Sequence, residues 1–169
     1  MNTLAGFDQV LYAASNLDLF DAYGLDLAAL LDHFMQHGRF EGRTCHGFCA
    51  LSYAASNPEL ISEFGLDSRS LALHYLRKGR ADGRAATSFD PLLYGASHPD
   101  LALAYGTDPV GLTLHYVLYG VREGRSSNGF DAVRYAELNP DLRESIGLDV
   151  AALTEHYLTN GAREDRPTS

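Results

Sequence analysis

Apolar residues along this chain fall at helical spacing. Leu27, Leu30, Leu31 and Phe34 occupy one helical stripe, and Leu71 and Tyr75 repeat part of it. No segment alternates apolar and polar positions long enough to predict a strand. The polar residues punctuate three short helices. A first is predicted over the stretch that reads FDxxxYAAS. A second begins where Asn57, Asn139 and His98 precede Pro58, Pro140 and Pro99, an N-cap followed by Pro at the first helical position. The acidic Glu59, Asp100 and Asp141 then suit the positive end of its dipole. Gly24, Gly65, Gly106 and Gly147 stop it. Asp26, Asp67, Asp108 and Asp149 are the predicted N-caps of the third and longest helix, which stops at Gly38, Gly79, Gly120 and Gly161. The tails GRFEGR, GRADGR, GVREGR and GAREDR read as turns.

These elements recur at a period of 41 residues, in copies 7–47, 48–88, 89–129 and 130–169. Nine positions are identical in all four copies: in the second they are Phe48, Tyr53, Leu60, Gly65, Asp67, Leu71, His74, Gly79 and Arg84. Helices this short are marginal alone in water, so each copy needs the face of a neighbour. The pattern predicts an all-α, solenoid-like array of four three-helix repeats, forming one repeat domain over residues 1–169.

Composition narrows the functional classes. The 169 residues are 46% hydrophobic, as in globular proteins. A net charge of −9 disfavours nucleic acid and anionic membranes, which need a basic surface. No apolar run approaches the ~20 residues of a membrane span, and the N-terminus MNTLAGFDQV has no secretory pattern. Nucleophile elbows, phosphate loops, zinc-protease helices and dinucleotide fingerprints are absent, so a non-enzymatic role is expected.

Two sets of repeated residues are the candidate binding positions: His33, His74, His115 and His156, and Arg43, Arg84, Arg125 and Arg166. Histidine ligates metals and carries protons. Equivalent histidines in stacked helices lie roughly 10 Å apart, too far to share one metal at ~2 Å. We therefore expect a partly buried His bonded to a backbone carbonyl or a capping Asp. The Arg can grip a carboxylate or another anion, or pair with the acidic residue of the NPDL segment. Tyr12, Tyr53, Tyr94 and Tyr135 are expected in the core with the hydroxyl on a neighbouring copy; their functional reading is a platform for a sugar. Asp8, Asp18 and Asp26 raise calcium as a second reading, although the EF-hand pattern is missing and caps explain them better. Cys45, His46 and Cys49 supply only three local ligands, short of a tetrahedral zinc site. Free thiols or a strained local disulfide are the readings for the pair.

YAASNPEL followed by HYLRKGRADGR, and SHPDL followed by HYVLYGVREGR, resemble a bacterial tandem repeat of the form Y-L-x-x-N-P-D-L, then H-Y-x-x-x-G-x-x-E-G-R. The resemblance covers 7–169, with departures at Leu17 and Asp165. Such repeats occur in large secreted or surface proteins of Proteobacteria, often with RTX-type calcium-binding segments, and beside glycosyltransferase domains. The resemblance implies a cell-envelope or extracellular interaction role; the RTX nonapeptides themselves are missing. The resulting expectation is a non-catalytic binding or scaffolding module for a protein or a bacterial cell-surface polysaccharide, with no membrane insertion and no obligatory cofactor. A calcium- or other metal-dependent surface module is the alternative.

Overall fold

Asp residues at the helix starts organise the chain, a computed structural model of which describes residues 6–169. Asp8, Asp90 and Asp131 each accept backbone N–H bonds at the start of the first helix of their copy. Asp26, Asp67, Asp108 and Asp149 do the same for the third helix, as the sequence predicts. Copy one holds α1 (Gln9–Ser15), α2 (Leu17–Tyr23) and α3 (Leu27–His33). Copy two holds α4 (Ala50–Ser56), a 3₁₀ turn (Pro58–Leu60) running into α5 (Ile61–Phe64), and α6 (Ser68–His74). Copy three holds α7 (Pro91–Ala96), α8 (Pro99–Tyr105), α9 (Pro109–His115) and the short α10 (Val121–Glu123). Copy four holds α11 (Ala132–Leu138), α12 (Pro140–Ser145) and α13 (Val150–His156). The described residues are all helix, turn and loop, with no strand.

The third helix of each copy ends differently from the expected simple stop. Its last five residues, Phe34–Gly38, Tyr75–Gly79, Tyr116–Gly120 and Tyr157–Gly161, widen into a π-helical turn. Arg80 N–H, for example, donates to the Tyr75 carbonyl five residues back at 3.0 Å. Apolar periodicity identifies the buried face of a helix but is insensitive to one extra residue in its final turn. The chain then closes the Gly-x-x-x-x-Arg tail locally. The backbone N–H of Arg43, Arg84, Arg125 and Arg166 donates to the carbonyl of the π-turn Gly five residues before it, at 2.9–3.0 Å.

The chain divides into two compact units, Met1–Ser88 and Phe89–Ser169, each holding two copies. In the first unit α6 packs between α4 of its own copy and α1 of copy one. Ala72 and Leu76 of copy two accordingly join the cluster of Val10, Tyr12, Ala13, Leu19 and Leu30. In the second unit α13 packs between α11 and α7, and Ala96 and Ala102 join the cluster around Tyr135, Leu142 and Leu153. Pairing thus supplies the neighbouring face that helices of seven residues or fewer require.

Fixed apolar positions are the cores of these clusters. Leu30, Leu71, Leu112 and Leu153 are fully buried, as are Tyr12, Tyr53, Tyr94 and Tyr135. Burying one such leucine is worth ~1.5–3 kcal/mol. The fixed Phe at the start of each copy stacks on the aromatic that follows the His: Phe7 on Phe34, Phe48 on Tyr75, Phe89 on Tyr116 and Phe130 on Tyr157, at centroid distances of 4.1–5.2 Å.

The departure at Asp165 has a visible cost. Gly42, Gly83 and Gly124 adopt positive φ in the EGR turn, and Asp165 adopts the same region at φ 53°. A residue with a Cβ is strained there by roughly 1 kcal/mol. Asp165→Gly is therefore expected to raise the stability of the second unit by about 1 kcal/mol, read as a higher denaturant midpoint at unchanged m-value.

Candidate functional site

Each candidate His is joined to a Tyr twenty-one residues upstream in its own copy. Tyr12 Oη and His33 Nδ1 lie 3.1 Å apart, Tyr53 and His74 2.9 Å, Tyr94 and His115 2.9 Å, and Tyr135 and His156 3.1 Å. This corrects two expectations. The His does not take a backbone carbonyl or capping Asp through Nδ1, and the Tyr hydroxyl does not reach the next copy. A buried phenol needs a partner, and the first helix, packed on the third, presents it to the His at the start of the π turn. Burial raises all four phenol pKa values, those of Tyr94 and Tyr135 to about 12.

The π-turn glycine completes this arrangement. A Cβ built on Gly38, Gly79, Gly120 or Gly161 would run into the Tyr hydroxyl of its copy. The Gly is thus fixed by close approach of the phenol as well as by its place at a helix end.

The candidate Arg residues clasp the second helix. Arg43 pairs with Asp18, Arg84 with Glu59, Arg125 with Asp100 and Arg166 with Asp141. In copy one the grip is a fork: Nη1 and Nη2 each reach one Asp18 oxygen at 2.9 Å. The hydrogen bonds from Arg43 and Arg166 hold the Asp18 and Asp141 carboxyls below the ordinary carboxylate range. Their contribution is full above the unfolded carboxylate value near 4 and is lost as pH falls through the lower folded value. Solvent screening keeps the contribution of exposed pairs of this kind small.

Within the same tail Arg43, Arg125 and Arg166 also donate through Nε to Glu41, Glu123 and Glu164, at 2.6–2.7 Å. Copy two has Asp82 there, one methylene shorter, and the buried Arg84 Nε has no hydrogen-bond partner. Asp82→Glu is expected to supply that acceptor and raise the denaturant midpoint of the first unit, measured by chemical denaturation.

The Asn before the second helix does different work from the predicted side-chain cap. Asn16, Asn57 and Asn139 make no side-chain cap bond. Each Nδ2 donates instead to two carbonyls: that of the Tyr four residues back and that of Thr44, Ala85 or Pro167 just after the clasp Arg, at 2.8–3.0 Å. His98 replaces it in copy three and donates through Nε2 to the Ser126 carbonyl at 2.8 Å. The side chain turns inward because the carbonyls at the end of the first helix and in the tail would otherwise be buried without donors.

Acidic residues considered for calcium are engaged as caps and clasps. No group of three or more His, Cys, Asp or Glu side chains among the described residues is arranged to hold a metal ion. Cys45 and Cys49 are free thiols; Cys49 stands where other copies have the capping Asp and accepts from Ser52 N–H at 3.5 Å.

What changes between copies lies around the fixed His. His33 is flanked by Tyr23 and His37, and His115 by Tyr105 and Tyr119, at centroid distances of 5.5–5.9 Å. His74 has Phe64 at 5.4 Å, and with Leu73, Arg77 and Lys78 these rings line a shallow notch of about 280 Å³. The matching positions in copy four are Ile146 and Asn160. Tyr119 is 55% exposed and Phe40, on the first tail, 73%. Copy comparison alone singles out Phe40 and Tyr119 as variable aromatics, but the ring around the His needs the fold.

No protein-family model, curated protein or solved structure matches the chain. No helix among the described residues is long and apolar enough to cross a membrane.

Proposed function

We propose that the chain is a non-catalytic binding or scaffolding module for a protein or a bacterial cell-surface glycan, of the secreted and surface repeat type its sequence resembles. The observation that carries this reading is the contrast within each copy. Tyr, His, Gly, Arg and Asn are committed to one another, to the acidic residues of the clasp or to the backbone, whereas the residues ringing the His change from copy to copy. A fixed frame that presents varied aromatic and cationic side chains suits recognition by several moderate contacts summed along one chain. Exposed aromatic rings such as Tyr23, Tyr119 and Phe40 are the kind of anchors that carry binding energy.

The test is capture from the envelope fraction of the producing cell, together with an array of bacterial glycans. Wild-type protein is expected to retain a partner. A variant with Tyr23→Ser, Phe40→Ser and Tyr119→Ser is expected to keep its helical content and lose retention. No retained species, or equal retention by the variant, would overturn the reading.

A further inference from the structure

The two units differ at one equivalent junction, and the difference exposes a site. In the first unit the junction between α1 and α6 is closed by an ion pair. Asp8 uses Oδ1 to cap α1, accepting from Val10 and Leu11 N–H at 2.8 and 3.0 Å. Its other oxygen, Oδ2, accepts from Arg69 Nη1 of copy two. In the second unit the corresponding junction is between α7 and α13. Asp90 caps α7 in the same way, accepting through Oδ1 from Leu92 and Leu93 N–H at 2.9 and 3.0 Å. The position matching Arg69 is now Ala151. Asp90 Oδ2 accordingly has no partner among the described residues.

The missing arginine leaves space. A groove of about 360 Å³ runs along this junction, walled by Leu92, Leu93, Val150 and Ala151, with Asp90 and Glu155 at its rim. In the first unit, Ser68 and Leu73 stand where Val150 and Glu155 stand in the second. The second unit has therefore lost a cation and gained an acidic side chain at the same place, with Val150 apolar where Ser68 is polar. Neither Asp90 nor Glu155 is in an ion pair among the described residues, and Val150 is 53% exposed.

We propose that this groove docks an arginine side chain from a segment of a partner protein, with apolar residues flanking the arginine. The chain itself shows what fits: the guanidinium of Arg69 on the equivalent carboxylate oxygen. The arginine's methylene stem covers Leu92, Leu93 and Val150 while its head reaches Asp90 Oδ2, as long cationic side chains do on apolar surfaces. Glu155 adds a second negative charge where the first unit has none. This deepens the binding-module reading and rests on it, and it selects protein over glycan as the partner at this groove.

The test titrates the full chain with the blocked peptide acetyl-Leu-Ala-Arg-Ala-Leu-amide, followed by amide and methyl shifts in NMR spectra. Saturable shifts are expected at Leu92, Leu93 and Val150, with a dissociation constant on the order of a millimolar. The same peptide with citrulline, which keeps the shape and loses the charge, is expected to bind at least about tenfold more weakly. Two variants remove the site without removing the cap. Asp90→Asn keeps an oxygen for Leu92 and Leu93 N–H, and Ala151→Arg supplies the arginine from within. Both are expected to abolish the response, with helical content unchanged. Shifts absent from the groove, equal binding of the citrulline peptide, or an undiminished response in both variants would overturn the proposal. The triple aromatic variant described above leaves this groove intact, so failure of envelope capture and failure of arginine docking are read separately.

Discussion

Gly79→Ala is expected to destabilise the first unit by about 2–3 kcal/mol, and Tyr53→Phe in the same chain to return much of that loss. The sign is the informative part. Gly79 ends a helical turn and does not have positive φ, so on conformational grounds Ala would be favoured there by roughly 0.5–1 kcal/mol. The opposite outcome follows from packing. A Cβ at this position would run into Tyr53 Oη, and Tyr53 is fully buried, packed edge-on against Tyr75 and tied to His74 at 2.9 Å. The ring has nowhere to retreat, and overpacking of this kind costs ~1–3 kcal/mol before the lost Tyr–His bond is added. Tyr53→Phe alone forfeits that bond, about 1 kcal/mol. It also removes the atom in the way, leaving Tyr53 Cζ and Tyr75 Cδ2 at 3.3 and 3.5 Å from the new methyl. The double variant should therefore be more stable than the sum of the singles by over 1 kcal/mol, a coupling that only direct contact produces. Urea unfolding of the four proteins measures it. A neutral or stabilising Gly79→Ala would show that the phenol does not crowd this turn.

The same residues show how far the chain could be read without its fold. Features set by neighbours in sequence were legible. Asp67 caps through an amide three residues on, Gly65 adopts positive φ at a helix stop, and the all-α class follows from periodicity. Arg84 was legible as a partner for Glu59 because charge leaves few alternatives. What escaped depends on registry between helices. The Tyr53–His74 bond spans twenty-one residues, and the Asn57 bridge to Ala85 spans twenty-eight. Both bonds join separate elements, so the periodicity along a single helix does not reveal them. Gly79 looked like an ordinary stop because its second cause is a hydroxyl on another helix. The π turn adds one residue where no hydrophobic position records it. The variable ring around each His, and the unpaired oxygen of Asp90, become visible only when the copies are superposed in space.

Raising the pH is expected to unfold the second unit between about 10 and 12, in step with ionisation of its buried tyrosines. Burial pushes the phenols of Tyr94 and Tyr135 up to about 12, and those of Tyr116 and Tyr157 up as well. A raised phenol pKa means that the folded state holds a proton which the unfolded state releases near 10. Stability is thus complete below pH 10 and declines as pH rises toward the folded value. Each such tyrosine removes up to about 1.4 kcal/mol per pH unit in that interval. Over two units Tyr94 and Tyr135 each account for on the order of 2 kcal/mol, a large share of the stability of a small helical unit. Helical ellipticity and tyrosinate absorbance, recorded on the same samples, are expected to change together. The double variant Tyr94→Phe, Tyr135→Phe separates the causes. It loses two hydrogen bonds to His115 and His156 and should be less stable at neutral pH, yet its unfolding should lie higher on the alkaline side, because two of the titrating groups are gone. Helical ellipticity that stays constant to pH 12 while all tyrosines ionise near 10 would mean that the phenols are not held in a dry core.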